Sequence, residues 1–181
     1  MSPKQPGNDH LVFIDPESGF EIRPWPESRD DEAAAILADA TFAGTPDAAM
    51  QRIQSARAEA PDRVFGGLMG GKLVGAYTLK RDGMANQVDI IAVEKDHRRR
   101  GIGRSLLKDA LRRSGRRPLV AETDEEGLPF YKACGFKMVG RRKQPDGAFR
   151  YRIGWHAPGR SFKGGTSGAL NQDAIKDTPS S

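Results

Sequence analysis

The stretch VDIIAVEKDHRRRGIGRSLL, residues 88–107, constrains the fold more than any other part of the sequence. It opens with an apolar run typical of a buried strand, continues through three consecutive arginines, and reaches two closely spaced glycines. Helical spacing follows, with an apolar face formed by Ile102, Leu106, Leu107, Ala110 and Leu111 and a polar face formed by Lys108, Asp109, Arg112 and Arg113. The sequence therefore predicts a strand, a tight turn and an amphipathic helix in direct succession.

Two glycines, Gly101 and Gly103, make the predicted turn suitable for binding an anion. Glycine lets the backbone fold back so that successive N–H groups point into one concavity. The first N–H groups of a helix have no partner within it and lie at the positive end of the helix dipole. Three adjacent arginines repel one another, and an anion would neutralise them. We therefore predict a phosphate or pyrophosphate site at the start of this helix.

Three phosphate-binding motifs can be compared with the sequence. The dinucleotide fingerprint needs a third glycine where Leu106 stands. The segment GGLMGGK, residues 66–72, has P-loop spacing, but Leu73 replaces the Ser or Thr that ligates magnesium, and the segment fits a hairpin turn better. The third motif is Arg/Gln-x-x-Gly-x-Gly/Ala after an apolar strand, and it matches the sequence from Arg98 to Gly103.

With this third motif the chain resembles the GNAT family of N-acetyltransferases. A second match supports the resemblance, because PFYKACGF, residues 129–136, is similar to the family's FYxxxGF signature. The resemblance covers residues 20–155. It implies an α+β fold in which a mixed, mostly antiparallel, twisted sheet is flanked by helices. The fourth and fifth strands of that fold splay apart to admit acetyl-CoA or another acyl-CoA.

The order of strand and helix patterns in the sequence agrees with that fold. Strand patterns occur in FEIRPW, in RVFGGLMGGKLVGAYTLKRDG around a Gly-Gly turn, and in NQVDIIAVEKD, RPLVAET, FKMVGRRK and FRYRIGW. Helical patterns occur in DDEAAAILADATFAG, TPDAAMQRIQSARAEAP and GLPFYKACG. We expect one domain over residues 19–155, a flexible arm over residues 1–18 whose LVFI patch is a candidate edge strand, and a disordered tail over residues 156–181.

The resemblance also implies which residues bind the cofactor. The backbone of Ile91, Ala92 and Val93 would hydrogen-bond the pantetheine arm as an added strand does. Arg98 stands at the motif's Arg/Gln position, and the pyrophosphate would be held by the backbone of Arg99, Arg100, Gly101, Ile102, Gly103, Arg104 and Ser105. Side-chain contacts of these arginines with phosphates remain open. Asp124 stands where many members have an asparagine, and an aspartate offers acceptors only.

The expected reaction is direct attack of a primary amine on the thioester, through a tetrahedral intermediate whose oxyanion is stabilised by a backbone N–H near Val93. Tyr131 stands where the family commonly has the acid that protonates the CoA thiolate, and the alternative is a tyrosine that only packs the short helix. Two carboxylates are candidates for the base: Asp89, which in a regular strand shares a face with Ile91 and Val93, and Glu122 on the following strand. Either could equally be a surface carboxylate. Phe130 and Phe136 are expected in the core.

The acceptor is less constrained than the donor. Regions that shape it in the family correspond to residues 28–60 and to RRKQPDGAFR, residues 141–150, and neither holds a recognisable substrate motif. A small-molecule amine is the first expectation, and a protein N-terminus or lysine side chain is the second. A non-catalytic module that binds CoA or nucleic acid is the alternative from another class, suggested by the basic segments RRSGRR and GRRK. The aromatic content of 7% disfavours RNA binding, which uses stacked aromatics.

Composition narrows the class of protein further. The 29 basic and 24 acidic residues give a net charge of +5, which suits an anionic partner. The single cysteine, Cys134, cannot form an internal disulfide and fits a reducing compartment. No apolar run has the length of about 20 residues that a membrane-spanning helix requires. We expect a cytoplasmic enzyme, monomeric or homodimeric, that uses acetyl-CoA and an amine and has neither a metal nor a membrane partner.

Overall fold

The computed structural model describes residues 13–15 and 19–155, with only the backbone described for residues 13–15. Four α-helices are formed by these residues: α1 Asp30–Leu37, α2 Pro46–Glu59, α3 Ile102–Ser114 and α4 Leu128–Ala133. Eight strands accompany them: β1 Phe13–Asp15, β2 Phe20–Pro24, β3 Val64–Met69, β4 Lys72–Asp82, β5 Ala85–Val93, β6 Leu119–Thr123, β7 Lys137–Lys143 and β8 Phe149–Trp155. Every predicted helix and strand is present, including the edge strand expected in the N-terminal arm. The rest of that arm and the predicted tail lie outside the described residues.

Local sequence signals explain where the helices begin. The hydroxyl of Thr45 accepts a hydrogen bond from the Ala48 N–H (3.3 Å), and Pro46 occupies the first position of α2, where it needs no acceptor. Helix α1 has three acidic residues in its first turn, which suits the positive end of its dipole. These signals allow both helices to be placed from the sequence.

The strands form one sheet in the order β1-β2-β3-β4-β5-β6-β8-β7. All neighbouring strands are antiparallel except β5 and β6, which are parallel. These two pair only where residues 86–88 lie beside residues 119–121. Beyond Val88, β5 continues for five residues without β6 as a partner. The prediction of a mixed, mostly antiparallel sheet with splayed central strands is confirmed.

Helices cover the two faces of the sheet unequally. On one face, α3 and α4 pack on a core that runs across the sheet and includes Leu106, Tyr131 and Ile153. On the other face, α1 and α2 pack mainly against β3, β4 and β5. The second core, which includes Trp25 and Ile53, therefore lies beneath half of the sheet. No helix within the described ranges is long and apolar enough to cross a bilayer.

The predicted polar position of Asp109 is wrong, because this residue is only 1% exposed. It lies three residues after Leu106, so helical geometry places it on the same buried face of α3. The Tyr77 hydroxyl (2.6 Å), Arg112 and Arg113 (2.7 Å each) donate hydrogen bonds to its carboxylate. Burial first, and then the Asp109 charge, raises the pKa of Tyr77 well above its ordinary value. The polar group is thus accommodated in the core because it is fully hydrogen-bonded.

The expected core position of Phe130 is also wrong, because its side chain is 38% exposed. Phe130 points about 100° away from Tyr131 around the short helix α4, toward the start of α3 rather than into the core. Tyr131 takes the inward position in α4, and Phe136 is buried as predicted.

Candidate active site

Separation of β5 from β6 leaves main-chain groups of β5 directed into the gap. The Glu94 N–H donates to the Val74 carbonyl of β4 (2.8 Å). Because main-chain groups alternate in direction along a strand, the N–H groups of Val93 and Ile91 point away from β4, toward the gap. A strand-like ligand could add to this free edge. The gap lies beside Ile91 and Val93, where the family resemblance implies binding of the pantetheine arm.

A β-bulge changes the position of Asp89 at the fork, the point after Val88 where β5 and β6 separate. Val88 pairs with Leu79 and Ile91 with Tyr77, so Asp89 and Ile90 lie opposite the single residue Thr78. Val88, Ile91 and Val93 pack with the α3 core, whereas Ile90 belongs to the core beneath α1 and α2. Asp89 lies on this second face, where Arg52 of α2 binds it. The expectation that Asp89 shares a face with Ile91 and Val93 is wrong, because the bulge shifts the alternation.

Both candidate bases nevertheless meet at the fork. Val88 lies beside Ala121 in the parallel pair, so Asp89 and Glu122 are the next residues on adjacent strands. The Asp89 carboxylate is 5% exposed, and its two oxygens accept from Arg52 at 2.7 and 2.5 Å. The Glu122 carboxylate is 30% exposed and accepts from Arg142 (2.9 Å) through one oxygen. Sequence reasoning missed both arginines, since each lies at least 20 positions from its partner.

The predicted anion-binding turn has the backbone conformation that its glycine suggests. Gly101 adopts φ 79° at the N-terminus of α3 and leaves this end without a side-chain cap, while Arg99 adopts φ 62°, in the left-handed region. The first hydrogen bond within the helix runs from the Ser105 N–H to the Gly101 carbonyl (3.0 Å). The N–H groups of residues 102–104 therefore have no acceptor inside the helix. This end of α3 can bind the oxygens of an anion.

The arginines of the turn differ in their environment. Arg98 donates to the Val93 carbonyl (2.9 Å) and to Asp39 (2.8 Å), so its guanidinium joins the end of β5 to the segment after α1. Arg104 donates to the Ala133 carbonyl at the end of α4 (3.1 Å). Arg99 and Arg100 are exposed, and no described residue forms a hydrogen bond or ion pair with their side chains. The last two are the better candidates for phosphate contacts.

Gly103 also permits a close contact between helices. A Cβ atom at this position would lie 3.1 Å from Cζ of Phe130. The start of α3 and the ring of Phe130 in α4 can therefore lie close together, because position 103 has no side chain. The sequence motif gives no hint of this second role, because Phe130 lies in another motif.

Tyr131 is placed in the α3-side core, between Phe130 and Phe136, at ring-centroid distances of 5.1 and 5.5 Å. Burial raises the pKa of Tyr131 well above its ordinary value; Cys134 and Asp124 raise it further and Arg150 lowers it. The phenol therefore stays protonated at physiological pH and can act as a donor. This property suits both an acid and a packing residue, so its catalytic role stays a prediction.

Asp124 closes the turn that leads into α4. Its carboxylate accepts a hydrogen bond from the Gly127 N–H (2.9 Å). An asparagine could make the same bond through its amide oxygen, which explains how aspartate preserves the turn. A contact of Asp124 with the cofactor stays a prediction.

Comparisons with known proteins agree with this architecture. The model of the acetyltransferase (GNAT) domain matches residues 28–150, which is more than half of the chain. Ard1 from Thermoplasma volcanium is 19% identical over 75% of this chain and 96% of its own, with a TM-score of 0.63. The ribosomal-protein-S18-alanine N-acetyltransferase from Escherichia coli is 20% identical over 79% of this chain and 99% of its own, with a TM-score of 0.60.

An aminoglycoside 6'-N-acetyltransferase complexed with coenzyme A is 15% identical over 74% of this chain and 95% of its own, with a TM-score of 0.62. At these identities the likeness concerns the fold. No curated protein matches the sequence significantly. The domain match, the splayed strands and the uncapped start of α3 together lead to one conclusion: the chain belongs to the GNAT acetyltransferase family.

Proposed function

We propose that this protein is an acetyl-CoA-dependent N-acetyltransferase that acts on a small molecule carrying a primary amine. The observation that carries the proposal is the separation of β5 from β6 beside the uncapped start of α3. A free strand edge and an anion-binding helix end occur together there, and acetyl-CoA has both an amide-containing arm and a pyrophosphate. The residues present therefore fit this cosubstrate.

Acetyl-CoA, when bound, supplies a thioester as the acyl donor. The N–H groups of Ile91 and Val93 would orient its arm, and the Val93 N–H is the proposed donor to the oxyanion that develops as the amine attacks. A bond forms between the amine nitrogen and the carbonyl carbon, and the bond from that carbon to sulfur breaks. Tyr131 would donate a proton or a hydrogen bond to the departing sulfur.

The amine must lose a proton, and the two carboxylates at the fork differ in their suitability to accept it. Both oxygens of Asp89 are bound by Arg52, and its carboxylate is almost completely buried. Glu122 is more exposed, and no described residue donates to its Oε1. We therefore assign the role of proton acceptor to Glu122 and an ammonium-attracting role to Asp89.

The test is release of free thiol from acetyl-CoA in the presence of a panel of primary amines, peptides with free N-termini and lysine peptides. We expect turnover with at least one small amine. Glu122→Gln should lower kcat at least tenfold more than Asp89→Asn, with acetyl-CoA affinity unchanged in both. Turnover with peptides alone would replace the acceptor class, and absence of turnover together with absence of acetyl-CoA binding would refute the proposed function.

A further inference from the structure

The face of β6, β8 and β7 that lies on the α1–α2 side of the sheet carries charged residues and no covering helix among the described elements. Ile153 is buried in the α3-side core, so the alternation of β8 places Tyr151 on that side and directs Arg150 and Arg152 to this open face. Glu122 and Arg142 form their ion pair on the same face. The surface adjoins the fork, and we call it the acceptor face.

Arg142 and Arg150 lie directly opposite one another on neighbouring strands of the acceptor face. Like charges in this arrangement are destabilising. Glu122 offsets Arg142, and Arg152 contacts Asp82. Arg150 is half-buried, yet no described residue offers its guanidinium a hydrogen bond or an ion pair. Among the described residues, this partly buried positive charge therefore has no ion-pair partner.

Arg150 lies next to the expected reaction centre. Strand β6 ends with Thr123 opposite Tyr151, so Arg150 is one position beyond the end of β6, beside the gap. Its charge also acts on Tyr131: burial raises the pKa of Tyr131, and the positive charge of Arg150 partly offsets this rise. Carboxylates lie deepest at the fork, while the Arg52 and Arg142 side chains are 49% and 65% exposed. At the fork, the carboxylates of Asp89 and Glu122 thus form a negatively charged interior. Arg52, Arg142 and Arg150 surround it as a positively charged rim.

We propose that the acceptor is a zwitterion, an amino acid or a similar amine that carries a carboxylate, with this carboxylate bound by Arg150 and Arg142 and its ammonium directed to Glu122. The inference rests on the proposed function. A guanidinium pairs with a carboxylate through two parallel hydrogen bonds, and a carboxylate relieves the repulsion between the two arginines. A polyamine lacks the group that this rim binds, and it would bring more positive charge to it.

The test compares free amino acids with their carboxamides as acceptors for the wild type, Arg150→Gln and Arg141→Gln. Arg141 lies on the same hairpin but faces the other side, over the ring of Phe149, so it controls for the lost charge. Because a charge-assisted hydrogen bond contributes about 1.5–3 kcal/mol, Arg150→Gln should raise KM for the free acid about 10- to 150-fold. KM for the carboxamide should change less than about threefold, since the amide has no charge to pair. Arg150→Lys should restore part of the loss.

Acetyl-CoA affinity, measured by titration calorimetry, should be the same in all variants, which establishes that they fold. Equal effects of Arg150→Gln on acids and carboxamides, or equal effects of Arg141→Gln and Arg150→Gln, would overturn the inference while leaving the proposed function intact. Turnover of other primary amines, but of neither free amino acids nor their carboxamides, would likewise overturn the inference alone. Absence of turnover with every amine, together with absence of acetyl-CoA binding, would refute the proposed function and the inference with it.

Discussion

The buried carboxylate of Asp109 offers a quantitative test of how the core accommodates charge. It accepts three hydrogen bonds, of which those from Tyr77 and Arg113 lie in the interior. Asparagine keeps the shape but has one acceptor oxygen, and its NH₂ group would face a donor. Removing one partner of a buried ion pair costs about 3–5 kcal/mol. Because Arg112 is 41% exposed and can turn to solvent, we expect Asp109→Asn to lower the free energy of unfolding by about 3 kcal/mol.

Tyr77→Phe removes only one donor and leaves Asp109 paired with its arginines, so it should cost about 1–2 kcal/mol. The double variant should be less destabilised than the sum of the single variants by at least about 1 kcal/mol, since the two residues share a hydrogen bond. Urea unfolding of the four proteins measures this coupling, with equal slopes as the sign that the denatured state is unchanged. Additive losses, or a neutral Tyr77→Phe, would show that the bond contributes nothing and refute the reasoning.

Three further predictions concern the site and the pH range of stability. Gly103→Glu should weaken acetyl-CoA binding at least about 100-fold in calorimetry, because it brings bulk and negative charge to the start of α3, whereas Gly103→Ala, which only crowds the ring of Phe130, should weaken it less than tenfold. Tyr131→Phe should lower kcat at least about tenfold and leave acetyl-CoA affinity unchanged; full activity would leave Tyr131 a packing residue. The folded-state pKa values of Tyr77 and Tyr131 are raised, so their contribution to stability is present below pH 10 and is lost as pH rises above it. Urea titrations between pH 8 and 11 should show this decline, and each Tyr→Phe variant should make it shallower.

Features encoded within a few neighbouring residues could be predicted from the sequence. Thr45 and Pro46 mark the start of α2, and the apolar run before Gly101 predicts the strand, turn and helix that form the proposed anion-binding end of α3. The separation of β5 from β6 was predicted only through the resemblance to the GNAT family, because no local sequence pattern indicates which strands will separate. The same holds for Tyr131, whose burial depends on the packing of α4.

Features that depend on distant partners could not be predicted. The bulge at Asp89 is defined by its register against β4, and its ion pair with Arg52 joins residues 37 positions apart. The charge of Asp109 suggested a solvent-facing position. Its burial depends on a hydrogen bond from Tyr77, which lies 32 positions earlier in the sequence. Charge alone therefore gave the wrong face, since the helix spacing and the partners decide the burial.

Arg98 has a consequence for redesign of the enzyme. Its guanidinium connects the Val93 carbonyl with Asp39, which follows α1. A segment transplanted between α1 and α2 to change the preferred amine would have to supply an acceptor at position 39. Without it, the guanidinium of Arg98 would lose one of its two acceptors, and the end of β5, which we propose orients the thioester, would be less firmly held. A change in the segment between α1 and α2 therefore has to be designed together with the proposed acetyl-CoA site at the end of β5.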